Sequence, residues 1–382
     1  MDFDFTDDQL ALRDTVRKWM DRDYSFESRM EIARSGGFSA KAWESLGGLG
    51  LFGLQVSEEH GGLGLGSIEA MVVMEELGRG LLIEPYAQTA LVVAHILALA
   101  PASVRDRCLP AISAGDMLVV LAQQERTARY RLNQVTTRAA RSGDGWQLSG
   151  FKTVVPAGSF AQAFVVPARV AGADDDSAGI ALFLVQRDGA GVEVESAPAL
   201  DGSSVAEIGF TDAAAELVVG AGAGPTGAHA VLEGAIDVGI AALCAEAIGA
   251  MEALMAMTVE YMNTRKQFGV PIASFQVLRH RMADIKLQLE LARSMSYLAS
   301  MKLADEPDMR RRVLSQAKLQ LGRSMRFVGQ QCLQIHGAIG LTDEYRASHY
   351  FKRLTAIEIG FGDTFHHLGE VSRRMQMTAG VY

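Results

Sequence analysis

Apolar positions recur at helical spacing from the start of the chain. In FTDDQLALRDTVRKWMDRD, residues 5–23, Leu12, Val16, Trp19 and Met20 fall on one face, Thr6 stands as an N-cap candidate, and Asp7 and Asp8 fill the first turn. SIEAMVVMEELGRG (67–80) and QTALVVAHILALA (88–100) predict two more helices, and the glycines of LGLFGLQVSEEHGGLGLG (49–66) predict a loop ahead of them. Near residue 117 the texture changes. MLVVLAQQ, GWQLSGFKTVV, AQAFVVPARV, IALFLVQRD and AEIGFT are short β-branched runs punctuated by Gly, Asp and Pro, which predict antiparallel strands, with ARVAGADDDSAG as an acidic surface loop. From about residue 226 helical spacing returns over 228–265, 275–304 and 311–337, long segments with short links that predict a bundle. The order predicts an α+β fold: an N-terminal helical domain (1–116), a middle antiparallel β domain (117–225) and a C-terminal four-helix bundle (226–382). TAIEIGFGDTFHHL, residues 355–368, reads as a Gly-broken turn between two helices.

Composition narrows the function classes. Of 382 residues, 49% are hydrophobic and 21% charged, which suits a globular chain with two or three packed layers. No run of 18 or more uncharged apolar residues occurs, so no membrane-spanning helix is expected. The acidic N-terminus lacks the basic start and apolar core of a signal peptide, which points to the cytoplasm. Cys108, Cys244 and Cys332 are scattered and odd in number, fitting a reducing compartment and no metal site. The net charge of −9, with no basic stripe, argues against nucleic acid; an anionic ligand would need local Arg groups.

Three strings carry a resemblance. WESLGGLGLFGLQVSEEHGGLGLG with MEELGR, then TRKQFGVPIASFQVLRHRMADI, then QIHGAIGLTDEY, stand in an order and at separations similar to those of the acyl-CoA dehydrogenase family. The resemblance covers nearly the whole chain. It implies dimer-based assembly with FAD at a subunit interface, an acyl-CoA substrate and an external electron acceptor. A pyrophosphate needs fixed positive charge and close backbone N–H groups. The resemblance places Arg265, Gln267, Phe268, Gln334 and Gly337 on the pyrophosphate and adenosine half of a flavin held by the neighbouring subunit, with Ala338 replacing a second family glycine. Gln276, in the FQ pair, and Thr364 match further flavin neighbours.

The ring side departs from the family pattern. Where the family has T-E-P-x-A-G-S-D, this chain has QERTARYRL (124–132), with Gln124 and Glu125 at the T-E positions and Tyr130 and Arg131 in place of Ser-Asp. Where it has K-x-W-I-T, this chain has KTVVP, which puts Val154 and Pro156 at the Trp and Thr positions; proline has no N–H and no side-chain donor.

The family reaction removes a proton next to a thioester while the flavin takes a hydride, which needs a carboxylate in a dry pocket. Most members place it in Y-E-G-T, and a minority on a bundle helix 26 residues ahead of the RKQFG arginine. Here those positions are Gly362 and Gly239. Asp363 is the candidate substitute, adjacent to the first position, and its alternative role is to cap the following helix. Glu246 falls on about the same helix face as Gly239, ~10 Å along the axis, and its alternative is a structural ion pair. Asp237, near a helix start, and the pair His366 and His367 complete the set. ERTARYRLNQVTTRA and HYFKRLTAIEIGFGD look like small subunits of paired enzymes in the family, such as the pimeloyl-CoA dehydrogenase small subunit. The expectation is therefore an FAD-dependent acyl-CoA dehydrogenase whose base comes from a homologous partner subunit. The alternative is a non-catalytic scaffold or regulatory partner that binds neither FAD nor substrate.

Overall fold

The computed structural model describes residues 4–222, 224 and 226–378. Its helices begin with α1 (Asp7–Asp23), α2 (Phe26–Arg34), α3 (Ala40–Gly48), α4 (Ser67–Arg79), α5 (Ala94–Leu97) and α6 (Ala102–Ala114). The strands β1 (Val119–Leu121), β2 (Arg138–Ser142), β3 (Gly145–Pro156), β4 (Ala163–Arg169), β5 (Ile180–Gln186), β6 (Val192–Pro198) and β7 (Ser204–Val219) follow. Then come α7 (Ala228–Thr264), β8 (Lys266–Gln267), β9 (Val270–Pro271), α8 (Gln276–Met301), α9 (Pro307–His336), α10 (Arg346–Ile359) and α11 (Thr364–Thr378). This is the expected order of helices, strands and helices. The segment Ala87–Val93 ahead of α5 winds as a wide π-turn helix instead of a regular α-helix.

The chain forms two compact units: Met1–Arg29, Ser67–Leu82 and Ile240–Tyr382 in one, Met30–Gly66 and Ile83–Gly239 in the other. In the first, α1 starts on a capping box. Thr6 Oγ1 accepts from the Gln9 N–H (3.2 Å) and Gln9 Oε1 accepts from the Thr6 N–H (3.0 Å). Helices α4 and α7 cross backbone to backbone. A Cβ at Gly78 would stand 2.0 Å from Glu246 O, and one at Gly249 would stand 1.7 Å from Glu75 O, so only glycine permits this approach. The length and hydropathy of α7 would suffice to cross a membrane, yet 72% of its most apolar window is buried inside the protein, as in a core helix.

Charge also enters this unit's interior. Lys318 on α9 is 1% exposed, and its Nζ donates to the carbonyls of Ile357 (2.9 Å), Glu358 (2.9 Å), Gly360 (2.8 Å) and Gly362 (2.9 Å). Burial pushes its pKa down to about 8. Glu75 on α4 is 8% exposed; its Oε1 has no hydrogen-bond partner among the described residues, and Arg293 Nη1 lies 3.8 Å from its Oε2. Burial pushes the Glu75 carboxyl up to about 7.

The second unit is built on a seven-stranded sheet, ordered β1-β4-β2-β3-β7-β5, with β6 on β7 and a further β4–β5 pairing that closes the central strands on themselves. Pairing is antiparallel except for β1 with β4 and a single β2–β4 pair, which run parallel. Every residue of β4 and all but the last of β5 are buried, so these strands read as continuous apolar runs. The expected acidic loop joins β4 to β5, and its conformation is set by Arg169. That guanidinium is 1% exposed and donates to the carbonyls of Asn133, Val135, Ala171, Asp174, Asp176 and Ala178.

Two outcomes test this account. Lys318→Met removes the ammonium from four carbonyls, of which Ile357 O keeps the Gly360 N–H (3.2 Å), so urea unfolding should register a loss of about 2–4 kcal/mol; a loss under about 1 kcal/mol would mean that packing alone holds the turn. For Glu75, whose folded pKa is raised, the contribution to stability is fully present below the ordinary 4.5 and is lost as the pH rises through about 7. Glu75→Gln should therefore gain on the parent across that window and keep a lead on the order of 1–3 kcal/mol above it. Parallel melting-temperature curves for the two proteins would refute this.

Candidate functional site

The RKQFG string forms a hairpin in which Lys266 pairs with Pro271 and Gln267 with Val270. Phe268 (φ +53°) and Gly269 (φ +83°) make its tip. The Arg265 N–H continues α7 by donating to Tyr261 O (2.8 Å), and the Ile272 N–H closes the hairpin onto Arg265 O (2.8 Å). Arg265 and Gln267 are exposed, Phe268 is 92% exposed, and Arg265 makes no ion pair among the described residues. The Phe268 ring meets Phe275 edge-on at 6.1 Å, beside Gln276, the first residue of α8.

The second string is fastened to the first by an aromatic contact. Tyr261, one turn before Arg265, stacks on His336 at 4.6 Å and 28°, and its hydroxyl donates to His336 O (3.3 Å). Burial pushes His336 down, which keeps it neutral for the stack, with Nδ1–H donating to Cys332 O (3.0 Å). Gln334 and Gly337, on either side of His336, are exposed. Gly337 (φ +68°) has nothing within 4 Å of an added Cβ, so its backbone lies open to close approach. The structure thus gathers Arg265, Gln267, Phe268, Gln276, Gln334 and Gly337 around one end of α9.

The turn at Gly362 lies elsewhere on that helix. Thr364 Oγ1 packs against α9 at Gly322, where an added Cβ would stand 2.2 Å away. Gly322 precedes Gln334 by twelve residues of α9, about 18 Å along the axis. Thr364 turns inward, its N–H and Oγ1–H both donating to Glu358 Oε1 (3.0 and 2.6 Å). Asp363 Oδ1 accepts from the His366 N–H (2.8 Å), the N-cap of α11. Burial, then Lys318 and His366, push His367 down to about 3, so this ring is neutral and a poor proton acceptor. On α7, Glu246 is 3% exposed and bound at both oxygens by Arg353 (2.5 and 2.8 Å), a structural ion pair. Asp237, two residues before Gly239, is 1% exposed.

In the second unit, the QERTARYRL loop hangs from a buried ion pair. Glu125 Oε1 accepts from Lys152 Nζ (2.7 Å), and the carboxylate also accepts from the N–H and hydroxyl groups of Thr136 and Thr137. Burial alone would raise this carboxyl; Lys152 and Thr136 outweigh it and bring it to about 2. Beyond it, Arg129 (φ +51°) stacks over Tyr130 at 5.5 Å, and exposed Arg131 donates to Thr127 O (3.2 Å). Val154 (φ +51°) bulges out of β3 between Lys152 and Val155 and is 52% exposed, while Pro156 pairs with Val205. Neither Val154 nor Pro156 has a side-chain hydrogen-bond donor, and Pro156 also lacks a backbone N–H.

Sequence reasoning missed Lys318, Glu75 and Arg169. Lys318 left a signal, because it interrupts the apolar stripe Leu314, Ala317, Leu321 and Met325 of α9, where a solvated lysine does not belong. A relay also went unread: Ser57 Oγ lies 2.8 Å from His60 Nδ1, and His60 Nε2 lies 3.0 Å from Asp106 Oδ1, tying the turn at Glu58–His60 to α6.

Three domain models of one family match the chain: acyl-CoA dehydrogenase N-terminal domain over residues 6–116, middle domain over 121–213 and C-terminal domain over 226–376. The chain is 26% identical over 376 residues to the probable acyl-CoA dehydrogenase YngJ of Bacillus subtilis, covering 95% of this chain and 96% of that protein. Among solved structures it is similar to the ChsE4–ChsE5 complex from Mycobacterium tuberculosis, at 25% identity and a TM-score of 0.87 over 98% of this chain and 99% of that one. It also shares its fold with the FAD complex of PigA, at 22% identity and a TM-score of 0.90 over 99% and 100%. The chain belongs to the acyl-CoA dehydrogenase family, FAD-dependent oxidoreductases that act on acyl-CoA thioesters.

Proposed function

We propose that this chain is the non-base-bearing subunit of a hetero-oligomeric acyl-CoA dehydrogenase, and that it grips the pyrophosphate and adenosine half of a flavin whose ring lies in an unlike partner. The observation that carries this reading is asymmetry between two sets of residues in the family pattern. One is furnished with an exposed cation that has no ion pair among the described residues, an exposed aromatic ring, two exposed amides and an open glycine backbone: Arg265, Phe268, Gln267, Gln334 and Gly337. Gln276 adds a third amide beside them. These groups fit an anionic pyrophosphate and a flat heterocycle. The other set has lost the side chains of the family pattern: Val154 stands at the aromatic position, Pro156 at the hydroxyl donor, and Gly239 and Gly362 carry no side chain.

FAD, when bound, supplies the acceptor for the hydride removed from the acyl chain. The chain's own share is to hold and orient: Arg265 neutralises phosphate charge, Gly337 offers close backbone approach, and Phe268 covers the adenosine end. The carboxylates near the two glycine positions are committed to other bonds. Glu246 is held by Arg353, and Asp363 caps α11, which supports assigning proton removal to the partner. Thr364, engaged with Glu358, would need to release that bond to reach a flavin. The electrons then pass to an external acceptor. ChsE4–ChsE5, a structure similar to this one, is itself a complex of two named chains. The scaffold reading draws on the same two missing side chains, and it differs from pairing in one readout, flavin in the purified assembly.

Arg265→Ala should weaken flavin retention in the native assembly by more than tenfold, since a charge-assisted bond of this kind is worth about 1.5–3 kcal/mol. Flavin content that survives dilution as well as the parent's would remove Arg265 from the site. The assembly isolated from its source cells should carry one flavin per pair of unlike chains by native mass spectrometry. A homo-oligomer with one flavin per chain would overturn the pairing and return attention to Asp363 as the base. A colourless mixed assembly would favour the scaffold.

A further inference from the structure

Position 362 is crowded from one side by two rings. Gly362 is buried and holds φ +115°, a conformation that L side chains rarely adopt. A Cβ built there would stand 2.6 Å from His366 Cδ2, 2.6 Å from His367 Nε2 and 3.1 Å from His367 Cδ2. The two imidazoles meet edge to face at 5.0 Å and 81°. The His367 ring is tightly held, and the helix turn that carries both rings is fixed. His367 is 2% exposed, with Nε2 3.2 Å from Phe361 O, and the His366 backbone is fixed by the Asp363 cap. The turn cannot swing away from them, because Lys318 holds the carbonyls on both sides of Phe361 and two more upstream.

We infer that His366 and His367 form a plug: they fill the volume into which any side chain at position 362 would grow, and so exclude a carboxylate from the place where most of the family carries its base. This inference rests on the pairing reading above and deepens it. The chain is the base-free partner because the space itself has been taken, and replacing one glycine would not restore the role. A glutamate at 362 would have to displace a nearly fully buried ring that packs inside a close-packed interior, in addition to adopting a strained backbone.

The test is a double-mutant cycle on the full chain in its native assembly, read by melting temperature. Gly362→Ala carries the same backbone strain in every background, whereas its contact with the rings does not persist once they are removed. It should therefore lower the melting temperature by at least about 2 °C less in a His366→Ala/His367→Ala background than in the parent. His367→Phe keeps the volume without the nitrogens and should preserve the full cost of Gly362→Ala, which separates a plug from a hydrogen-bonding role. If the double alanine background does not fold, His367→Val alone replaces it and should relieve part of the cost. Equal costs of Gly362→Ala in all backgrounds would overturn the plug. Flavin stoichiometry of the parent assembly is independent of this cycle: one flavin per chain would sink the pairing while leaving the plug standing, and additive melts would sink the plug while leaving the pairing standing.

Discussion

Lys318 brings a positive charge into the interior of its unit and spends every donor it has on one turn. Four carbonyls, from Ile357 to Gly362, converge on its ammonium, and burial lowers its pKa only to about 8, so the charge persists at neutral pH. An ion in such a place is tolerated only when its environment satisfies it completely. The turn between α10 and α11 supplies that environment and is itself fixed by it. The left-handed backbone at Phe361 and Gly362, the Asp363 cap, and the rings of His366 and His367 all follow from a chain that cannot leave the Lys318 ammonium.

The same helix organises the rest of the unit. Helix α9 carries Lys318 and Gly322 near its middle and Gln334 and His336 at its end, so it sets the distance between two groups of candidate site residues. One group sits where Tyr261 stacks on His336 and the hairpin exposes Arg265 and Phe268; the other sits where Thr364 meets Gly322. A separation of about 18 Å along a rigid helix keeps the two from converging on one small reacting centre. They would serve different parts of a long cofactor or different cofactors, which suits assembly across subunits. Local chemistry also overrides the global field: the chain carries −9 overall, yet the hairpin presents a cation with no ion pair among the described residues.

The second unit uses buried charge in a parallel way. Glu125 and Lys152 neutralise each other inside the sheet unit and leave no lone pair idle, because Thr136 and Thr137 complete the carboxylate. Arg169 holds four carbonyls of the acidic loop, and those of Asn133 and Val135 beside it. The frame around the ring-side loop is thus intact. Around that loop, the departures from the family pattern are Tyr130, Arg131, Val154 and Pro156.

Periodicity and punctuation in the sequence determined the three textures, the N-cap at Thr6, the acidic loop, and a turn between two helices within 355–368, because each depends on residues close together in the chain. The family followed from three strings in order, and so did the absence of a carboxylate at Gly239 and Gly362. Bonds between distant elements were out of reach. That Glu246 is occupied by Arg353, that Asp363 caps and Thr364 faces Glu358, that Tyr261 joins the RKQFG and QIHG strings, and that His366 and His367 fill the space beside Gly362 were decided only when α7, α9, α10 and α11 packed. A sequence lists the groups able to carry charge, whereas packing alone decides which of them are already satisfied and which remain open to a ligand, since that depends on partners tens or hundreds of residues away.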